Sequence, residues 1–231
     1  MRFYQRLVER TRADRAYLLA APPLQRALAG NISLTEYVAF LTEAYHHVKH
    51  TVPLLMSVGG RLPASYEWLR EAVAEYIEEE IGHQRWILND IKACGGDAQA
   101  VSGGRPARAT ELMVAYAYDT VSRVNPLAFF GMVLVLEGTS VALASNAAEV
   151  LQRSLKLPTS AFSYLRSHGA LDQDHIVHFE NLMNRIDDPD DQHDIEHAAG
   201  MFYRLYADIF RSLDGPIETG AAQLPSTACA V

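Results

Sequence analysis

The amino-acid sequence predicts an all-α protein, a single-domain bundle of about seven helices. Gly and Pro concentrate at joints, and between the joints lie segments of helical length with apolar residues at helical spacing. Strand signals are nearly absent, because the one clear β-branched cluster, Gly131–Leu136, lies inside a helix-length segment without turn residues. A length of 231 residues suits one domain with a substantial core.

The helical segments follow one another between recognisable start and stop signals. Ser33 and Glu36 form a capping box that opens the first long helix. Gly95 and Gly96 stop the second, and Pro126 suits the first turn of the fourth. The predicted segments span about 33–57, 65–94, 109–123, 126–155, 159–187 and 190–213. We expect the folded domain to cover residues 1–215 and residues 216–231 to form a disordered tail.

Composition and charge exclude several classes of protein. A net charge of −8 and a pI near 5.6 argue against nucleic-acid binding, which needs clustered Lys and Arg. No run approaches 18 consecutive apolar residues, so no membrane span is expected. The charged N-terminus does not fit a signal peptide, so we expect a cytoplasmic protein. Two cysteines make no disulfide framework or thiolate site, and a metal would therefore need His and carboxylate ligands.

Two histidines and one carboxylate share a narrow face of the fifth segment. His168, Asp172 and His175 project within about 60° of one another at about 100° per residue. Two imidazoles with one carboxylate suit Fe, Mn or Zn. Taken alone, the triplet is equally consistent with a solvated polar stripe. Gly169 within it weakens the helix by about 1 kcal/mol.

A run of three acids precedes a histidine in the second segment. Glu79 and Glu80 lie four and three residues before His83, so either can share its helix face. Such a run is most often a solvated edge, but apolar residues flank this one on both sides. Part of it is therefore expected to point inward.

Glu137 is a lone acid in the most apolar helix of the chain. A buried carboxylate needs a partner or a cation, because its desolvation costs several kcal/mol. A salt bridge is the alternative to a metal, but no Lys or Arg lies within one turn. Three separate helices thus present carboxylates or His inward, as helix bundles do when they build dinuclear carboxylate sites.

The spacing of these residues resembles the haem-oxygenase-like diiron oxidases and oxygenases, which share their fold with thiaminase II and the pyrroloquinoline-quinone biosynthesis oxidase. Glu80-x-x-His83 comes first, Glu137 follows about fifty residues later, and the His-x3-Asp-x2-His element some thirty residues after that. The resemblance covers residues 30–213. It implies a seven-helix bundle that holds two non-haem irons, with Glu79 as the alternative first carboxylate. The implied ligands are Glu80, His83, Glu137, His168, Asp172 and His175.

The resemblance also implies an activity in which two ferrous ions reduce O2, as co-substrate, and oxidise a molecule held in the bundle. Members of the family that this sequence resembles act on fatty acids, amino acids, nitrogen centres or their own side chains. The sequence does not indicate which of these substrates this chain would use. Apolar residues around Glu137 would suit a hydrophobic substrate, but plain core explains them better: Phe129, Phe130, Met132 and Leu136. A homodimer and an external electron donor are further expectations.

Two alternatives keep the helical fold but change the function. One is a metal-free hydrolase of the thiaminase II type or a cofactor-independent oxidase. The other is a ferritin-like metal-binding protein without an organic substrate, which the His-rich ligand set disfavours. The metal-free alternative would require a basic partner for Glu137.

Two histidine clusters lie outside the implied ligand set. In the first, His46 shares a helix face with His50, and so does His47. We favour a pocket-lining role for this cluster and expect Tyr45 or His46 to lie nearest to iron as a catalytic residue. A partly exposed cluster is the alternative. The second, beginning at His193, spells the inverzincin motif His-x-x-Glu-His. Only 34 residues follow it, too few for the distant carboxylate of such a protease, so a protease is rejected.

Overall fold

The computed structural model describes residues 1–214, apart from the side chains of residues 168–175. Over this part of the chain it contains no β-strand, which confirms the predicted all-α class. The same range holds twelve α-helices rather than about seven. In chain order they are α1 (Phe3–Arg10), α2 (Arg12–Leu19), α3 (Pro22–Leu28), α4 (Leu34–Val48), α5 (Thr51–Arg61), α6 (Glu67–Glu80), α7 (His83–Ala93), α8 (Ala98–Gly103), α9 (Arg108–Asp119), α10 (Phe129–Leu155), α11 (Ser163–Met183) and α12 (Pro189–Ser212). The predicted tail lies outside the described residues.

Two predicted helices are each divided in two, which accounts for part of the difference. The segment 33–57 begins at the predicted capping box, since the Ser33 hydroxyl accepts from the Glu36 amide and the Glu36 carboxylate accepts from the Ser33 amide. It ends early because Pro53 is tolerated only in the first turn of a new helix, α5. The segment 65–94 breaks at Gly82, whose φ of 102° no right-handed helix can contain.

The longest helix, α10, is the centre of the bundle. It packs against α11 on one side and α12 on another, and the end nearer Leu155 meets α3. Gly131 allows the closest of these contacts, because a Cβ there would lie 2.6 Å from the Ala199 backbone nitrogen in α12. The two helix backbones therefore touch at this point.

The segment Pro126–Leu155 is long and apolar enough, by length and composition, to cross a membrane. Glu137 interrupts it, so the sequence contains no unbroken apolar run of that length. In the structure 56 % of its most apolar window is buried against other helices. A helix surrounded by its neighbours is apolar on most of its faces, so this composition is that of a core helix.

Candidate functional site

Glu80 and His83 meet at the joint between α6 and α7. Glu80 is the last residue of α6 and His83 is the first of α7, and their Oε2 and Nδ1 atoms lie 3.0 Å apart. Both side chains are largely buried, at 12 % and 5 % exposure. Glu79 is exposed, so Glu80 is the member of the acidic run that faces inward with His83.

The ring of His83 is held from its other side by Trp86, one helical turn further along α7. The two rings are stacked with centroids 4.1 Å apart and planes inclined by 26°. Trp86 itself is half-buried. Stacking of this kind restricts rotation of the imidazole, and so helps to keep Nδ1 directed at Glu80.

A cavity of about 150 Å³ lies beside this pair, enclosed mainly by α3, α4, α10 and α12. Glu80 and Glu137 both line it, so two predicted ligands from different helices face one space. Its wall is otherwise mostly apolar, and no Lys or Arg is among the described residues that form it. The charged groups of the described wall are therefore carboxylates, the kind of wall that attracts a cation.

The apolar residues around Glu137 belong to the main hydrophobic core, as the sequence favoured, and three of the four also face a cavity. Phe129, Met132 and Leu136 line the cavity. Phe130 alone points away from it and is fully buried, with its ring centroid 6.4 Å from that of Phe179. The helical period explains the split, because Phe130 lies on a different face of α10 from the other three.

The remaining three predicted ligands belong to α11. The backbone of His168, Asp172 and His175 is helical, and their side chains lie outside the described residues. The start of this helix is fixed by Asp90 of α7, which is fully buried. Its carboxylate accepts the backbone amides of Ser163 at 3.0 Å and Tyr164 at 2.9 Å. The helix that begins at His83 therefore also positions the helix that carries the other three predicted ligands.

The donor set agrees with a site for iron as far as the structure describes it. One imidazole nitrogen and two carboxylates, from three helices, are the donor types that suit Fe among other first-row metals. No cluster of three or more metal-binding side chains is complete within the described residues. Glu80 and His83 would hold a metal jointly, and Glu137, which lines the same cavity, would be a further ligand.

The predicted catalytic pair does not line the cavity. Tyr45 and His46 are buried elsewhere, with the Lys49 ammonium 3.1 Å from His46 Nδ1. Burial, with smaller contributions from the charges of Lys49 and His50, lowers the pKa of His46 to about 4. His46 is thus a neutral side chain, and its neighbour His47 faces the cavity instead.

Several polar side chains of the cavity wall lie outside the implied ligand set. Tyr76 and Tyr206 are among those that the sequence did not single out, whereas His47 belongs to the cluster predicted to line a pocket. His47 is 2 % exposed and its ring meets that of Tyr206 edge-on, with centroids 5.8 Å apart. Burial raises the pKa of Tyr206 well above its usual value, so its hydroxyl stays protonated. His47 could have been chosen on helical phase, because it lies two turns after apolar Phe40, which also lines the cavity.

The His-x-x-Glu-His motif near the C-terminus is structural. Glu196 accepts Arg6 at 2.7 Å and Arg10 at 2.7 Å, which joins α1 to α12. His193 and His197 are exposed and lie on the outside of the bundle. This geometry agrees with rejection of a protease.

Solved structures with the same architecture show which fold this is. A domain with a haem-oxygenase-like fold from Shewanella denitrificans superposes with a TM-score of 0.81 at 22 % identity, covering 91 % of both chains. A TenA homologue from Pseudomonas syringae gives 0.78 at 13 % identity over 92 % of each chain. Haem oxygenase-1 from the cyanobacterium Synechocystis, bound to haem, gives 0.73 at 10 % identity over 93 % of each. The chain has the haem-oxygenase-like fold.

The sequence itself identifies the family within that fold. Residues 38–207 match the family of iron-containing redox enzymes, and the chain belongs to this family. The matched range includes all six predicted ligands. No curated protein matches the sequence.

Proposed function

We propose that this chain is a non-haem diiron enzyme that uses O2 to oxidise a small organic molecule held in the cavity. The observation that carries the proposal is that Glu80 and Glu137 line one largely apolar cavity, with His83 Nδ1 3.0 Å from Glu80 Oε2. When bound, iron would supply the reduction of O2. Membership of the iron-containing redox enzymes supports this choice over a metal-free function.

The protein's own part in the reaction follows from the cavity wall. Its apolar residues exclude water from the substrate and strengthen electrostatic interactions near the carboxylates. Apart from the carboxylates, the polar side chains of the described wall include His47, Tyr76 and Tyr206. His47 and Tyr206 can each donate or accept a hydrogen bond, and burial keeps the Tyr206 hydroxyl protonated.

An iron titration under anaerobic conditions tests the proposal most directly. We expect about two Fe(II) per chain, followed by consumption of O2 when air is admitted. Glu137→Gln should lower the iron content and slow O2 consumption, because the amide is a poorer ligand of nearly the same shape. Glu149→Gln, at an exposed position of the same helix, should match the wild type.

Two further variants separate the candidate ligands from the outer histidines. His175→Ala should reduce iron binding, whereas His193→Ala, at an exposed position, should leave it unchanged. A folded wild-type protein that binds no iron would contradict the proposal and favour the metal-free hydrolase. Binding of many more irons without O2-dependent oxidation would favour a storage protein.

The proposal includes the setting in which the enzyme works. We propose a cytoplasmic homodimer that receives electrons from an external donor. Light scattering of the purified chain tests the dimer. A requirement for added reductant over repeated turnovers tests the donor.

A further inference from the structure

The cavity is long rather than round. Its α10 wall starts at Phe129 and ends at Leu151, and the positions in between fall on one face of the helix. Twenty-two residues of α-helix correspond to about 33 Å at 1.5 Å per residue. A volume of about 150 Å³ spread along such a length describes a narrow channel, with space for roughly ten water molecules.

The two ends of this channel differ. Toward Phe129 it is closed by large buried side chains, among them Leu55 at 1 % exposure and Met132 at 2 %. The opposite end is formed by α3, the start of α4 and the end of α12. There Gly30 lies against Val150 of α10, and half-exposed Glu36 and Leu213 line the channel.

At the end of the channel opposite Phe129, which we call the distal end, Arg26 bridges two carboxylates. Arg26 donates to Glu36 at 2.9 Å and to Asp214 at 2.6 Å. All three side chains are partly exposed, at 36 %, 32 % and 42 %. Solvent therefore reaches the channel at this end, and the distal end is its mouth.

Small side chains follow the centre of the α10 wall between Glu137 and the mouth. They are Ser140, Ala144 and Ala147, and Thr139 and Leu143 line the channel beside them. The Ser140 hydroxyl is buried, lies one turn from Glu137 and has no hydrogen-bond partner in the described part of the chain. The Ser140 hydroxyl therefore offers a polar contact near Glu137. Between Ser140 and Leu151 the centre of the α10 wall is formed by Ala144 and Ala147.

We propose that the channel binds an unbranched aliphatic chain with its polar end beside Glu137 and its tail directed at the mouth, and that Ala144 and Ala147 set the longest chain accepted. The placement of the polar end rests on the proposed function, since that is where the metal would act. The direction of the tail rests on the channel alone. Because the channel is narrow, a branched or ring-containing molecule of equal size should bind less well than a straight chain.

The helix supplies a scale for chain length. Along α10, Ala144, Ala147 and Leu151 lie about 10, 15 and 21 Å beyond Glu137. An extended aliphatic chain advances by about 1.25 Å per carbon, from bonds of about 1.5 Å. These positions therefore correspond to chains of about eight, twelve and seventeen carbons.

Displacement of a neutral fluorescent probe tests this without any need for catalysis. The purified full-length chain is loaded with N-phenyl-1-naphthylamine and titrated with straight primary alcohols of six to sixteen carbons. An uncharged head group is chosen so that metal occupancy does not decide the result. Affinity should rise about fourfold per carbon, corresponding to about 0.8 kcal/mol per methylene, until the tail reaches the mouth.

Two cavity variants and one matched control give the decisive comparison. Ala147→Phe should end the rise near twelve carbons, and Ala144→Phe near eight, with shorter chains bound as in the wild type. Ala142→Phe makes the same change at an exposed position of α10 and should leave the whole series unaltered. A 3,7-dimethyl-substituted octanol should bind at least tenfold more weakly than straight decanol.

The outcomes separate this inference from the proposed function. If both cavity variants keep the wild-type length dependence, the chain does not lie along α10 and the inference is wrong, whatever the iron titration gives. If the length dependence shifts as stated but no iron binds, the channel assignment stands and the diiron proposal fails. Circular dichroism of each variant confirms that a lost affinity does not come from unfolding.

Discussion

Glu80 Oε2 and His83 Nδ1 lie 3.0 Å apart although one residue ends a helix and the other begins the next. On a continuous helix the same two residues would be neighbours one turn apart on a single helix face. Here the left-handed Gly82 turns the chain between them, with φ of 102°. The joint brings both donors to the buried side.

The first prediction concerns that glycine. Gly82→Ala should cost about 1–2 kcal/mol of stability, because a residue with a Cβ is strained at this φ. It should also weaken metal binding, since relief of the strain rotates Glu80 away from His83. Chemical unfolding and a Co(II) titration measure the two effects. Gly95→Ala, at φ of 78° after α7, should cost similar stability and leave Co(II) affinity unchanged.

The second prediction uses the two tryptophans of the chain as reporters. Trp86 stacks on His83, whereas Trp68 lies under Arg185 with the guanidinium carbon 3.9 Å from its ring centroid. Addition of Co(II) should quench the emission of Trp68→Phe, which retains Trp86, by more than half. Trp86→Phe should show little quenching. Equal quenching in both variants would place the metal away from His83.

The third prediction concerns the anchor of α11. In Asp90→Asn one side-chain atom becomes a donor that faces the backbone amides of Ser163 and Tyr164, so at least one of the two amides loses its acceptor. We expect a loss of about 1–3 kcal/mol in the free energy of unfolding. Urea denaturation measures it. Asp119→Asn, which breaks an exposed pair with Arg123, should change stability by less than about 0.5 kcal/mol.

The fourth prediction is a pH dependence of stability. His46 has a pKa of about 4 in the folded chain and about 6.5 when unfolded, so between these values the unfolded state binds the extra proton. Its contribution is complete above pH 6.5 and is lost as the pH falls toward 4. Between pH 7.5 and 5 the wild type should lose about 2 kcal/mol more than His46→Gln, which cannot titrate. His193→Gln, at an exposed position, should behave as the wild type does.

The fifth prediction tests the close contact between α10 and α12. Gly131→Ala places a Cβ 2.6 Å from the Ala199 nitrogen and 2.9 Å from the Ile195 carbonyl oxygen, both of them backbone atoms. The helices must separate, at a cost of about 1–3 kcal/mol. A Cβ at Gly138 of the same helix would meet no described atom within 4 Å, so Gly138→Ala should stabilise by about 0.5–1 kcal/mol. Thermal unfolding of the two variants, Gly131→Ala and Gly138→Ala, measures both effects.

The sequence supported the fold class because helix-length segments, caps and glycine stops are local signals. It could not locate the breaks at Lys49 and Gly82, since a glycine or proline inside an apolar period is compatible with a continuous helix until tertiary packing decides. It paired Glu80 with His83, and the two side chains do lie side by side, because residues three apart remain neighbours across the joint at Gly82. It selected His46 over His47, since adjacent residues differ by about 100° in phase and the sequence does not define which face is inward.

The joint at Gly82 also determines how metal binding would add to stability. A cross-link between Glu80 and His83 closes a loop of only a few residues, which removes little freedom from the unfolded chain. A bond from the same metal to Glu137 closes a loop of more than fifty residues and removes much more. Most of the thermal stabilisation on metal loading should therefore come from ligands on other helices, such as Glu137, and little of it from the pair at the joint.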